Sequence, residues 1–203
     1  MQREVVAGEI VFPLERARDV LSFYSEFMHT APDDLYCDCF INAPLSGEGA
    51  GAGLSVCYSG AAAGADKALA PIRKLGEPNM FTNVSSVDYV DAQRSWDDTD
   101  PRNEGEYLKG GFINAFPEEL VTRLADGFEP DPRRSTMLYF QHSGGAIGRV
   151  ASDATAFAHR KSMASTPMRC PMRRSESSTA IIRAITSACC RSRIATIRIT
   201  CSG

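Results

Sequence analysis

Nowhere in its 203 residues does the chain hold an apolar run of the roughly 20 residues that a bilayer-spanning helix requires. The amino terminus, Met1-Gln2-Arg3-Glu4, lacks the basic start and apolar core of an export signal. No membrane attachment is therefore expected, and the expected location is cytoplasmic. Histidine is scarce, at three residues, and tryptophan scarcer, at one. Cys37 and Cys39 are too close for a zinc knuckle, and Cys189, Cys190 and Cys201 lack histidines at ligand spacing, so no metal site is expected. The seven cysteines form an odd set without an export signal, which argues for reduced thiols. On a strand, Cys37 and Cys39 point the same way and read as small buried hydrophobes. No aromatic residue follows Phe157, so the basic carboxy-terminal part has nothing on which to stack a base, and no nucleic-acid partner is expected.

What remains is a globular composition, 43% hydrophobic with a mean hydropathy of -0.20. The length suits one domain with a sizeable core. The net charge of -3 conceals a division. Residues 161–203 carry seven Arg, one Lys and one Glu, a charge of +7, which leaves -10 on the first 160 residues. Eight Ser and five Thr fill out the same stretch, and arginines interrupt both of its apolar runs, 180–185 and 194–199. Neither length nor periodicity predicts a paired element there. The expected organisation is a domain over 1–160 and a basic tail over 161–203, disordered or produced by a frameshift near 161.

Within the first 160 residues the patterning is regular. Val5, Val6, Ile10 and Val11 predict a strand over 3–12. Pro13 suits the first turn of a helix, in which Leu14, Ala17, Val20, Leu21, Tyr24 and Met28 form one apolar face. Leu35, Cys37, Cys39 and Ile41 alternate strictly, and a further strand is expected over 54–58. A second helix is expected over 66–75, kinked or broken at Pro71. One more strand is expected over 80–87, a short helix over 88–97, and an extended segment over 106–114 carrying Lys109. A helix over 117–127 opens on acids that suit its dipole, and a strong strand covers 136–142. The order strand, helix, strand, strand, helix, strand predicts an α+β fold. Its sheet is antiparallel and of split-βαβ (ferredoxin-like) type, with helices mainly on one face.

The most distinctive stretch is Gly144-Gly145-Ala146-Ile147-Gly148-Arg149-Val150-Ala151-Ser152-Asp153-Ala154-Thr155-Ala156-Phe157-Ala158-His159-Arg160. Its glycines allow close approach of a backbone or a ligand. Residues 151–153 read as a turn and 156–160 as a half-buried strand ending in two cationic or ionisable side chains. The stretch resembles a signature in the substrate domain of berberine-bridge-enzyme-like FAD-linked oxidases, which belong to the vanillyl-alcohol-oxidase-type flavoproteins. Ala7-Gly8-Glu9-Ile10-Val11-Phe12-Pro13, Tyr58-Ser59-Gly60, Tyr89-Val90-Asp91-Ala92-Gln93 and Tyr107-Leu108-Lys109-Gly110-Gly111-Phe112 extend the resemblance, in order, over residues 3–160. It implies a protein truncated at both ends, with the FAD-binding domain and the later portion that supplies the catalytic base both missing. No catalytic or cofactor-binding residue is carried over. FAD belongs to the parent family, and this chain alone is not expected to bind it.

The candidate substrate-binding residues are Tyr139, Gln141, His159 and Arg160. Tyr139, Gln141 and Ser143 share one face of a strand, which is either a pocket wall or a solvent or interdomain surface. His159 reads either as a structural histidine or as an acid–base group. Arg149 and Arg160 suit pairing with acids or carbonyls at a domain interface, Lys109 suits an edge charge, and His29 a helix-end contact. The resemblance implies the substrate-binding portion of an FAD-dependent oxidoreductase that oxidises an alcohol or amine carbon and is inactive alone. Its partners would be a small-molecule substrate and a flavin-binding domain normally in the same polypeptide. A non-catalytic ferredoxin-like module for ligand binding or self-association is the alternative that fold alone leaves open.

Overall fold

Alternating strands build the centre of the molecule. The computed structural model describes residues 4–44, 48–77, 80–95, 97, 108–109, 112–113, 116–132, 135–151, 153–156, 164–165 and 168–169. The first strand, β1 (Glu4–Pro13), leads through a 3-10 turn at Leu14–Arg16 into α1 (Ala17–Phe27). Pro13 thus ends the strand instead of opening the helix. Two long strands follow, β2 (Leu35–Ala43) and β3 (Gly51–Tyr58), and then α2 (Ala65–Arg73). Pro71 lies in the last turn of α2, and the helix stops two residues beyond it. The missing proline N–H leaves the carbonyl of Lys67 without its helical donor, yet the helix runs through Pro71 and ends before Gly76, which has φ 94.

The strand expected over 80–87 is two strands, β4 (Phe81–Thr82) and β5 (Ser85–Asp88), both paired antiparallel with β1. The interruption falls opposite Gly8. There the Glu9 N–H donates to Asn83 Oδ1 at 2.6 Å and the Asn83 N–H donates to the Glu9 carbonyl at 3.2 Å. Gly8 has φ 149, and a side chain on it would meet Asn83 and the backbone of Val84, so glycine is required. Asp88 then caps α3 (Tyr89–Arg94) by accepting from the Val90 N–H at 2.9 Å. Short strands β6 (Leu108–Lys109) and β7 (Phe112–Ile113) precede α4 (Glu118–Gly127), β8 (Thr136–Phe140) and the short helix α5 (Gly145–Arg149).

The main sheet runs in the order β4-β1-β3-β2-β8, with β5 alongside β1, and every described pairing is antiparallel. β3 therefore lies between β1 and β2, the two strands that α1 joins, as a split βαβ unit requires. Two further strands, β9 (Ala164–Ser165) and β10 (Met168–Arg169), extend the pairing. β9 pairs with β7, and β10 lies between β8 and β6. Residues past 160 thus enter the sheet, where the patterning predicted no paired element. Each of these strands is two residues long, too short to show a period, so patterning could not find them. Of the strand expected over 156–160 only Ala156 is described, in a bend, and the rest lies outside the described residues with most of 161–203.

One side of the sheet carries the core. Leu35, Cys37, Cys39 and Ile41 are buried on β2, with Leu54 and Val56 of β3 and Leu138 and Phe140 of β8. Val20, Leu21, Tyr24 and Phe27 of α1, Leu69 and Ile72 of α2, and Leu120, Val121 and Leu124 of α4 complete the same cluster. Burial pushes the Cys37 and Cys39 thiols up, so both pack as small apolar groups. The Tyr24 hydroxyl donates to the Phe140 carbonyl at 3.2 Å, and the Phe116 ring stands edge-on to both Tyr24 and Phe140. These contacts lock α1 to β8 across the chain. No helix among the described residues is long and apolar enough to cross a membrane.

Candidate functional site

Because side chains alternate along a strand, the residues between the buried ones on β2 share the sheet's other face. They are Tyr36, Asp38 and Phe40. On β8 the same alternation leaves Met137 and Tyr139 on that face, followed by Gln141. The register Phe40↔Tyr139 sets the two aromatic rings side by side, with centroids 6.5 Å apart and planes 15° apart. Gly53, opposite Phe40 on β3, makes the arrangement possible: a Cβ there would stand 2.5 Å from the Phe40 ring and 2.8 Å from the Ile10 carbonyl.

Asp38 is the centre of this face. It is 3% exposed, although it is a charged residue in the middle of a strand. Burial of that kind is tolerable only with donors in place. Tyr139 Oη donates to Asp38 Oδ2 at 2.7 Å, and the His142 N–H donates to Asp38 Oδ1 at 3.3 Å. The Tyr36 hydroxyl is also hydrogen-bonded to Asp38, and to Gln141 as well. Burial pushes the Asp38 carboxyl up to about 6, against the opposing pull of Tyr139, Tyr36 and the His142 backbone. Burial and the nearby carboxylate in turn raise the phenol of Tyr139 and that of Tyr36, keeping both protonated. Tyr36 is 40% exposed, so the network reaches from a buried carboxylate to the surface. Glu9 of β1 adds a second carboxyl, raised by partial burial, whose charge also reaches Tyr139.

His142 follows directly. Its ring fills the space over Gly144 that a side chain on that residue would occupy. Its Nδ1 is buried with no hydrogen-bond partner among the described residues. Burial first, and the charge of His29 second, lower its pKa. The glycine pair therefore serves a ring and a turn: Gly144 accepts the imidazole, and Gly145, at φ 56, begins α5 beside Asp33. Arg149 at the end of α5 pairs with Asp33 at 2.6 Å, an acid of its own domain, with both side chains largely exposed.

Of the residues singled out from the sequence, Tyr139 and Gln141 stand together on the polar face. His159 and Arg160 lie outside the described residues. Tyr36 and Asp38 escaped sequence reasoning. A signal existed, because aspartate is depleted in strands, and one set between two cysteines of a strictly alternating strand asks for a partner.

No family model matches the sequence, and no curated protein matches it. Solved structures do. A xylooligosaccharide oxidase from Myceliophthora thermophila C1 in complex with xylobiose superposes with a TM-score of 0.69 at 21% identity, over 92% of this chain and 44% of its own. Glucooligosaccharide oxidase from Acremonium strictum, which carries a 6-S-cysteinyl, 8α-N1-histidyl FAD, gives 0.69 at 17% identity, over 89% and 43%. The BBE-like 1 protein of Physcomitrella patens gives 0.68 at 14% identity, over 91% and 43%. The chain spans less than half the length of these proteins. Its fold is that of a segment of the FAD-linked oxidases of the berberine-bridge-enzyme-like group, the group its sequence resembles.

Proposed function

We propose that the chain forms the substrate-facing portion of an FAD-dependent oxidoreductase that oxidises an alcohol or amine carbon. The observation that carries the reading is the hydrogen-bonded polar face of Tyr36, Asp38, Tyr139 and Gln141 on the side of the sheet that the core helices leave free. An aromatic pair beside fixed hydroxyl, carboxyl and amide groups suits a small hydroxylated ligand, with rings for its apolar surface and polar groups to orient it. Tyr139 and Gln141 would contact the substrate directly. His159 and Arg160, at the end of the stretch 144–160, belong to the same proposed set.

We infer that this chain does not hold FAD as a resident group. The imidazole of His142 fills the space over Gly144, and α5 has only five residues, so the glycine pair forms no cradle for a pyrophosphate. The flavin would be held by a flavin-binding domain, normally in the same polypeptide, and would accept the hydride. This chain's part is to bind the substrate, orient its reacting carbon and shield it from water. Alone it would be inactive.

Titration of the isotope-labelled chain with xylobiose and, separately, with FAD tests the reading by backbone amide NMR. The expected result is saccharide-dependent shifts on β2 and β8, with no stoichiometric flavin retained on purification. A yellow, stoichiometric preparation, or saccharide shifts that are absent or confined to the helical side, would overturn it.

A further inference from the structure

Hydrogen bonds on the polar face obey a count. A tyrosine hydroxyl has one proton to donate, and an ionised carboxylate has none. Tyr139 spends its proton on Asp38 Oδ2 at 2.7 Å, and the His142 N–H occupies Oδ1. Tyr36 is bonded to both Asp38 and Gln141. The carboxylate can only accept, so Tyr36 donates to it. The proton in the remaining bond then comes from the Gln141 amide. On this count the protons run from Tyr139 to Asp38 and from Tyr36 to Asp38.

We propose that Asp38 is the positioning residue of this face, holding the hydroxyl protons of Tyr36 and Tyr139 so that both phenols turn only acceptor lone pairs outward. The inference rests on the proposed function only for the statement that a substrate lies on this face. Its chemical consequence is a selection by polarity. A ligand meeting Tyr139 must donate a hydrogen bond, as a hydroxyl or N–H does, whereas an ether, carbonyl or carboxylate oxygen would face a lone pair. Asp38 does this through the tyrosines, being itself 3% exposed. Burial, the Tyr139 and Tyr36 phenols and the His142 backbone N–H bear on its ionisation; Cys37 and Cys39 stand beside it on β2, Ser55 is its register partner on β3, and Glu9 of β1 faces Tyr139.

The test needs neither ligand nor flavin, so its failure and the failure of the functional reading are separable. Phenolate absorbance is followed with pH on the full chain for the wild type and Asp38→Asn, with Tyr139→Phe and Tyr36→Phe added to each for assignment. Removing the carboxylate should lower the ionisation of two of the six tyrosines by at least about one unit, a tenfold change in constant. Those two should disappear with the two Phe substitutions. An unchanged curve in a folded Asp38→Asn protein would overturn the proposal. Should Asp38→Asn fail to fold, carboxyl 13C NMR of Tyr139→Phe decides. Loss of the phenol donor should raise the titration midpoint of Asp38 further, and an unmoved midpoint would overturn the assignment.

Discussion

Tyr139 and Asp38, 101 residues apart in the chain, are joined by a 2.7 Å hydrogen bond between the phenol and a buried carboxylate on adjacent strands. The bond closes one of the longest loops in the fold, and its donor is one of the four residues that the sequence nominates for substrate contact. Hydrogen bonds to charged groups contribute about 1.5–3 kcal/mol. Tyr139→Phe should therefore lower the unfolding free energy by about that amount at pH 8, read from urea denaturation. The deficit should shrink at pH 4.5, where Asp38 is protonated and the neutral acceptor is weaker.

A second expectation concerns the sign of the pH dependence. The folded protein holds the Asp38 carboxyl at about 6, above its ordinary value of 3.8. Between those values the folded state binds more protons than the unfolded state, so this group's contribution to stability falls as the pH rises from about 4 to about 6. A difference of roughly two units corresponds to something on the order of 3 kcal/mol. Asp38→Asn cannot titrate. The wild-type minus variant difference in unfolding free energy should accordingly decline across that window and level off above it. Taking the difference removes Glu9, which shifts in the same direction, and Asp33, which Arg149 holds below its usual value. A difference that rises with pH would mean that the hydrogen bonds outweigh the burial of Asp38.

Gly53 is the third point of leverage. Its missing side chain leaves room for the Phe40 ring to lie over β3, while Tyr139 stacks on that ring from β8 on the other side of β2. In Gly53→Ala the added methyl meets both a ring and the Ile10 carbonyl, and only the ring can move. Overpacking of this kind costs about 1–3 kcal/mol. The midpoint in urea should fall accordingly, and displacement of the stacked pair should change the near-ultraviolet circular dichroism. Gly49, at φ 76 with nothing near its Cβ position, is the contrasting site, where alanine meets backbone strain and no clash.

How much of this was legible follows from the kind of signal each residue leaves. The buried row Leu35, Cys37, Cys39 and Ile41 was readable because a two-residue period has a single structural meaning when one side is covered. The apolar face of α1 was readable for the same reason at its own period. Asp38 was not, because alternation assigns it to the outward face, and outward usually means solvated. Its burial depends on Tyr139 and His142, which lie about a hundred residues away, and no local pattern encodes that distance. The split of the expected strand at Asn83 was likewise hidden, since it depends on Gly8 of another strand. The role of Gly144 needed the imidazole two residues before it to be placed in space.

That imidazole gives the last expectation. His142 is packed on Gly144 with its Nδ1 buried and without a partner, and its pKa is lowered from 6.5. A histidine held below its ordinary value binds fewer protons folded than unfolded, so it contributes a loss of stability as the pH falls through that value. Gly144 has φ -130, a conformation that alanine adopts freely, so substitution there carries no backbone penalty of its own. What it cannot do is leave the ring in place. Gly144→Ala should push the imidazole outward, where regained hydration favours the charged form. The His142 titration followed by imidazole NMR should then move up toward 6.5. At pH 7.5 the variant should be less stable by about 1–3 kcal/mol through lost packing. At pH 5.5 the gap should narrow, because the variant no longer keeps a neutral imidazole buried against the pull of protonation. An unchanged His142 midpoint in the folded variant would show that the ring is held by something other than the space over Gly144.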